Sequence, residues 1–281
     1  KAEPVNEEGI ELAEGSDISM QVDPHWNGLG TARVLSGTFG ASGPCCRARA
    51  VLIVDGLNPW NAYSQRLHRD AIAGCESWGP LSAIPGGRAN SYKCAAPAVS
   101  HAAGDWAVGL LRLFRGDLAM AEAAARLYGV RAEGCSFGDD GNGLNVILQN
   151  SSMNADSFHP DLCGTPEGWA RGHRGLTLLT YPHDRWDLGW AGPLQLAGPR
   201  GQPTAQIAPL PNRSVLLDAC IWHRATNPAR ESAPLRRAVR ASGTLRRMLG
   251  ARPAEDGVQF RAWRFAVVMQ MRCPLLGGGE E

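Results

Sequence analysis

Short apolar runs separated by glycine and proline residues dominate the second half of the chain. Runs that are rich in β-branched or apolar residues and that end at turn residues are typical of strands. An earlier run over residues 51–56 predicts one strand in the first half. The strands that the pattern predicts after Gly143 are residues 144–149, 175–181, 192–196, 214–218 and 265–271.

Two segments before Gly143 carry helical spacing instead. Residues 105–128 place apolar side chains on one helical face, and Gly129 follows at a position where glycine commonly ends a helix. Residues 61–78 predict a second helix, although a glycine lies near its last turn. We expect both helices to support a sheet.

Three further segments lack these patterns. Residues 1–48 are polar and rich in glycine, and they predict an irregular lead-in. Residues 79–100 are rich in proline, glycine and serine, and they predict a loop. Residues 230–257 predict a basic helical insertion between the last two strands, because arginine recurs throughout this segment.

The order of these elements predicts a mainly β fold with supporting helices. We expect an α+β chain whose strands form a double-stranded β-helix, or jelly roll. The chain has 281 residues, of which 44% are hydrophobic, so it is long enough to bury one sizeable core. We therefore expect a single domain over residues 49–281.

Charge and hydropathy narrow the classes of partner. The formal net charge of +1 gives no sign of a surface that coats nucleic acid. No apolar run approaches the length needed to cross a bilayer. We expect a soluble protein that acts on a small molecule or a peptide, without a nucleic-acid or membrane partner. The first residue is Lys1 rather than Met, which suggests a truncated or processed chain.

The chain contains eight cysteines, and none of them forms a C-x-x-C pair. A zinc ribbon or a thioredoxin-like site is therefore not indicated. We expect mostly free thiols, with one or more disulfides as the alternative.

The tripeptide His159-Pro160-Asp161 offers a candidate metal site. In an extended chain, residues two apart point to the same face, so this imidazole and this carboxylate could bind one ion together. His223, which we expect at the end of another apolar strand, could supply a third ligand. Two imidazoles and one carboxylate on one face of an ion suit non-haem Fe(II), with positions left for a co-substrate and O₂. The alternative is a turn in which Asp161 caps backbone N–H groups.

Several segments together resemble a known family, the Fe(II)- and 2-oxoglutarate-dependent dioxygenases, and specifically its prolyl-4-hydroxylase-like branch. The similarity lies in the order and spacing of short motifs more than in residue identity. The segments that carry it are residues 51–56 with the helix after them, His159-Pro160-Asp161, residues 176–181, Trp186-Asp187, residues 190–194 and the approach to His223-Arg224-Ala225.

The resemblance implies roles for particular residues. His159, Asp161 and His223 would hold Fe(II). A basic residue would bind the far carboxylate of 2-oxoglutarate, and we expect it to be Arg264, with Arg237 as the alternative. Tyr181 matches the tyrosine that donates a hydrogen bond to the same carboxylate.

Thr177 is a further candidate for contact with 2-oxoglutarate. It lies four positions before Tyr181 and therefore on the same face of the predicted strand.

The implied activity is hydroxylation of a peptidyl proline, an amino acid or a small metabolite, with O₂ as the oxidant. Family members that halogenate lack the carboxylate that Asp161 supplies here. Two other interpretations stay open. One is a jelly-roll or cupin metalloenzyme that does not use 2-oxoglutarate, and the other is a jelly-roll binding module without catalysis.

Overall fold

Two antiparallel sheets form the framework of the chain. The computed structural model describes residues 9–40, 50–57, 79–80, 92–95, 114–115, 117–137, 144–150, 157–161, 172–181, 186–228 and 263–277. In chain order, the strands of this part are β1 (Ile10–Leu12), β2 (Ser19–Val22), β3 (Thr31–Ser36), β4 (Ala50–Asp55), β5 (Gly79–Pro80), β6 (Tyr92–Ala95), β7 (Ser136–Phe137), β8 (Leu144–Asn150), β9 (His173–Tyr181), β10 (Leu194–Ala197), β11 (Pro203–Ile207), β12 (Arg213–Asp218), β13 (His223–Ala225) and β14 (Trp263–Pro274).

The smaller sheet has the strand order β1-β11-β10-β13. The larger sheet has the order β2-β3-β4-β12-β9-β14-β8-β6-β5, with β7 paired to β14. Strand β12 lies between β4 and β9, and all six of its residues are buried. Its middle residues, Val215 to Leu217, are apolar on both faces and form a short continuous apolar run, whereas Arg213, Ser214 and Asp218 are buried polar residues at its ends.

The core lies between the inner faces of the two sheets. Leu179 of β9 and Val268 of β14 point into it from the larger sheet, and Leu194, Leu196 and Ile207 point into it from the smaller one. Alternation along a strand puts every second residue on this inner face. Polar side chains that lie on these inner faces can therefore reach the interior.

Helix α1 (Leu118–Tyr128) covers the outer face of the larger sheet. The carboxylate of Asp117 accepts a hydrogen bond from the N–H of Met120 and caps the helix at its start. Gly129 ends it in a left-handed conformation (φ 66°), as the sequence predicts. The Tyr128 hydroxyl donates to the carbonyl of Leu216 at 2.6 Å, which attaches the helix to the middle of the sheet.

A buried ion pair joins the ends of β4 and β12. The guanidinium of Arg213 binds both carboxylate oxygens of Asp55, with Nε–Oδ1 at 2.6 Å and a second N–O distance of 2.8 Å. Arg33 also contacts Asp55, at 3.0 Å. Since the Arg213 side chain is fully buried, the bidentate pairing offsets part of the cost of placing its charge in the core.

The structure corrects the prediction of an irregular lead-in over residues 1–48. Within this segment, β1 pairs with β11 of the smaller sheet, and β2 and β3 extend the larger sheet beyond β4. These strands were not predicted because they are short and their sequence is polar and rich in glycine. They lie at or near the described sheet edges. The predicted loop over residues 79–100 likewise contains β5 and β6.

The six predicted strands are all present, with ends that shift by up to three residues. Strand β11 was not predicted. The predicted helix over residues 61–78, the first part of the helix over residues 105–128 and the basic insertion over residues 230–257 lie outside the described residues. In the part of the chain that the structure describes, no helix is both long and apolar enough to span a membrane.

The structure also corrects the expectation of mostly free thiols for three cysteines, Cys135, Cys220 and Cys273. Cys135 and Cys273 form a disulfide with an S–S distance of 1.98 Å, and Cys220 is disulfide-bonded as well. Their wide separation in sequence gave no spacing motif. The Cys135–Cys273 bond ties the segment after α1 to the end of β14.

Replacing Cys135 and Cys273 together by alanine is expected to lower the free energy of unfolding by about 2 to 5 kcal/mol, because the bond closes a very long loop. Denaturant unfolding of the oxidised wild type and of the double variant measures the difference. Peptide mapping without reductant is expected to recover the two cysteines in one linked peptide. Alkylation of both thiols in the unreduced protein would contradict the bond.

Candidate metal centre

Backbone pairing brings the His159-Pro160-Asp161 segment beside His223. His159 and His223 exchange both of their backbone hydrogen bonds, each with an N–O distance of 3.0 Å. The N–H of Asp161 donates to Ala219, and the N–H of Ala219 donates to Gly175 of β9. The segment therefore lies where the smaller sheet, through β13, meets the larger one.

This pairing gathers three potential ligand atoms in one place. One ligand atom each from His159, Asp161 and His223 lies within 4.8 Å of the other two. His223 Nε2 lies 3.5 Å from Asp161 Oδ2. The structure thus brings together the three residues that the sequence proposes as metal ligands. The position of His223 differs slightly from expectation, because it begins the short strand β13 rather than ending a longer one.

Hydrogen bonds fix the orientation of both imidazoles. Nδ1 of His159 lies 2.8 Å from the carbonyl oxygen of Ser157, and Nδ1 of His223 lies 2.9 Å from that of Ile221. A carbonyl only accepts, so we assign the proton of each neutral ring to Nδ1. Each Nε2 then carries the lone pair. Metal-binding histidines have this arrangement, in which the other ring nitrogen donates to a backbone carbonyl.

The carboxylate of Asp161 has a defined partner on β9. The hydroxyl of Thr177 donates to Asp161 Oδ2 at 2.6 Å, and Thr177 is fully buried. Two nitrogen donors and one carboxylate oxygen form a donor set that fits a divalent transition metal such as Fe(II).

Tyr181 of β9 and Arg264 of β14 lie on the inner face of the larger sheet, which also carries Thr177. Val267 pairs with Thr180, so Ala266 and Arg264, which alternate along β14, point to the same side as Tyr181. The side chains of Tyr181 and Arg264 are buried, with 0% and 3% exposure. Arg264 donates to the carbonyl of Gly192 at 3.4 Å.

Burial raises the pKa of the Tyr181 phenol, while the charges of Arg264 and Arg213 act in the opposite direction. The phenol therefore stays protonated at neutral pH and can donate a hydrogen bond.

A strained turn holds the carbonyl that Arg264 contacts. Gly192 has a φ of 77°, and a Cβ there would lie 3.2 Å from Pro228. Ala191, just before it, has a φ of 56° although it is not glycine. This conformation is costly for an alanine.

The contacts that Arg224 and Thr177 make around the centre were not predicted from the sequence. The guanidinium carbon of Arg224 lies 4.4 Å from the ring centroid of Phe158, which connects the residues beside the two histidines. Arg224 also donates to Gln195 of β10 at 2.7 Å. Thr177 donates a hydrogen bond to Asp161. These contacts depend on the tertiary structure, since the partners are far apart in sequence. Arg237 lies outside the described residues.

Comparisons with known proteins add a likeness of fold. No family model matches the chain, and no curated protein matches it. Among solved structures, the non-haem α-ketoglutarate-dependent carbocyclase SnoK from nogalamycin biosynthesis matches with a TM-score of 0.50 and 10% identity, over 80% of this chain and 79% of that one. The chain is similar in fold to a 2-oxoglutarate-dependent oxygenase.

Two other structures of this kind also match. A Pseudomonas putida prolyl-4-hydroxylase has 12% identity and a TM-score of 0.44, over 81% of this chain and 93% of that one. HygX from Streptomyces hygroscopicus, solved with nickel, 2-oxoglutarate and hygromycin B, has 10% identity and a TM-score of 0.43, over 80% of this chain and 82% of that one. The relation to 2-oxoglutarate oxygenases that the sequence motifs suggest is confirmed at the level of fold.

Proposed function

We propose that the protein is an Fe(II)- and 2-oxoglutarate-dependent oxygenase that hydroxylates a small-molecule or peptide substrate. The observation that carries this proposal is the convergence of His159, Asp161 and His223, with both imidazoles oriented by backbone carbonyls. The two sheets would be the two sides of a double-stranded β-helix. Because β1 to β3 belong to these sheets, we place the start of the catalytic domain before residue 49.

His159, Asp161 and His223 would hold Fe(II) through two Nε2 atoms and a carboxylate oxygen. With 2-oxoglutarate and O₂, the bound iron supplies the oxidising power for attack on a C–H bond. The chain contributes three donors on one side and directs each Nε2 away from its backbone contact, since each Nδ1 faces a carbonyl oxygen. The carboxylate of Asp161 balances half of the charge of a divalent ion.

Arg264 and Tyr181 would hold the far carboxylate of 2-oxoglutarate. A guanidinium can grip a carboxylate through two parallel hydrogen bonds, and the protonated phenol adds a third donor. Their burial would strengthen these bonds, because a buried charge is poorly screened. Whether Thr177 also contacts 2-oxoglutarate stays a prediction.

The interior between the metal cluster and Arg264 is apolar. Leu179 and Val268 line the inner face between the two levels of the site. Apolar walls exclude water, which protects a reactive centre from side reactions. This arrangement supports an oxygenase better than a binding module, for which a dry and charged interior would have no use.

Substituting Asp161 by alanine is expected to abolish turnover, because the centre loses the one anionic ligand found among the described residues. The protein is reconstituted with Fe(II) without oxygen, and conversion of 2-oxoglutarate to succinate is then measured after O₂ is added, with a panel of peptides and small molecules. Asp117→Ala is the matched control. It removes a remote helix cap, costs about 1 kcal/mol of stability and should leave turnover intact.

A wild-type protein that binds Fe(II) but neither binds 2-oxoglutarate nor forms succinate would support the alternative metalloenzyme. Unchanged turnover in Asp161→Ala would contradict the ligand assignment.

Arg264→Ala is expected to weaken the binding of 2-oxoglutarate roughly 100-fold, since charged hydrogen bonds contribute about 1.5 to 3 kcal/mol each. Equilibrium titration of the Fe(II)-loaded protein without oxygen measures the dissociation constant. Arg264→Lys keeps the charge but not the paired donors, and it should show an intermediate loss. If Arg237→Ala weakens binding while both Arg264 variants do not, the assignment is wrong.

A further inference from the structure

We propose that Thr177 is a positioning residue that sets the affinity of the metal centre by holding the carboxylate of Asp161. This inference rests on the proposed metal site and deepens it. It gives Thr177 a role different from the contact with 2-oxoglutarate that the sequence suggests.

The geometry of the contact fixes the direction of the hydrogen bond. An ionised carboxylate only accepts, so the Thr177 hydroxyl must donate to Asp161 Oδ2. The 2.6 Å distance is that of an O–H to carboxylate bond, which is stronger than a bond between neutral groups. The same oxygen lies 3.5 Å from His223 Nε2. The hydroxyl thus holds the oxygen that faces the histidine.

Thr177 is itself rigid. It lies in β9 between two paired strands, opposite Leu217 of β12 and Gln270 of β14. It is fully buried, and a β-branched side chain has few rotamers. Asp161, by contrast, lies in a short segment outside the strands, pinned through its backbone N–H to Ala219. The fixed hydroxyl therefore restrains a carboxylate whose terminal torsion is otherwise soft.

A hydroxyl suits this task better than a cationic side chain. It orients the carboxylate without neutralising the charge that attracts a divalent ion. A threonine also has a single hydroxyl proton, and here it is donated in the hydrogen bond to Asp161. That proton is not available to the far carboxylate of 2-oxoglutarate at the same time. The contact therefore separates the two roles that Thr177 could have.

The test is a titration of the protein with Mn(II) alone, followed by the decrease of the free-ion signal in electron paramagnetic resonance. Thr177→Val keeps the side-chain shape and removes the hydroxyl, and it is expected to weaken Mn(II) binding about tenfold or more. Thr177→Ser retains the donor and should remain within about twofold to threefold of the wild type, because the hydrogen bond to Asp161 survives.

Thr180→Val is the matched control. Thr180 is also buried in β9, but its hydroxyl pairs with Ser214 on the opposite face of the strand, 3.1 Å away. This variant should bind Mn(II) like the wild type. If Thr177→Val does not fold, judged by circular dichroism, Thr177→Ala and Thr180→Ala replace the pair.

Wild-type affinity in folded Thr177→Val, or an equal loss in Thr180→Val, would overturn the proposal. So would an intact Mn(II) affinity with weakened binding of 2-oxoglutarate, which would assign Thr177 to the co-substrate instead. A wild-type protein that binds no Mn(II) would refute the metal centre itself, and with it this role of Thr177.

Discussion

The reciprocal backbone hydrogen bonds between His159 and His223 are the constraint on which the candidate site depends. They hold a short segment against the start of β13 and set the spacing of two imidazoles. Through Asp161, Ala219 and Gly175, the same chain of backbone bonds continues into the larger sheet. The ligand cluster therefore forms where the two sheets meet, and its geometry follows from main-chain pairing rather than from flexible side chains.

The interior beyond this junction carries charge in an otherwise apolar core. Arg213 is balanced by Asp55, and Arg264 lies beside a phenol that burial keeps protonated. Burying a guanidinium is costly, so such residues are retained where their charge is neutralised or used. The pairing with Asp55 balances the charge of Arg213, and we propose that the charge of Arg264 serves an anionic co-substrate.

Much of the fold could be read from the sequence because apolar runs are local signals. The runs around β4, β9, β12 and β14 predicted the central strands, and helical spacing predicted the end of α1 at Gly129. The strands of the first 40 residues escaped prediction because they are short and lie at or near the described sheet edges in polar sequence. The disulfide between Cys135 and Cys273 was missed because the two cysteines are far apart in sequence.

The candidate site was likewise predicted only in part from the sequence. The spacing of His159 and Asp161 suggested a shared face, but only tertiary pairing brought His223 to them and revealed the bond between Thr177 and Asp161. The most direct test of the metal centre is anomalous diffraction at the iron edge from crystals prepared with Fe(II) without oxygen. We predict a strong peak about 2.2 Å from Nε2 of both histidines and from a carboxylate oxygen of Asp161. Iron bound elsewhere, with no density among these three side chains, would contradict the account.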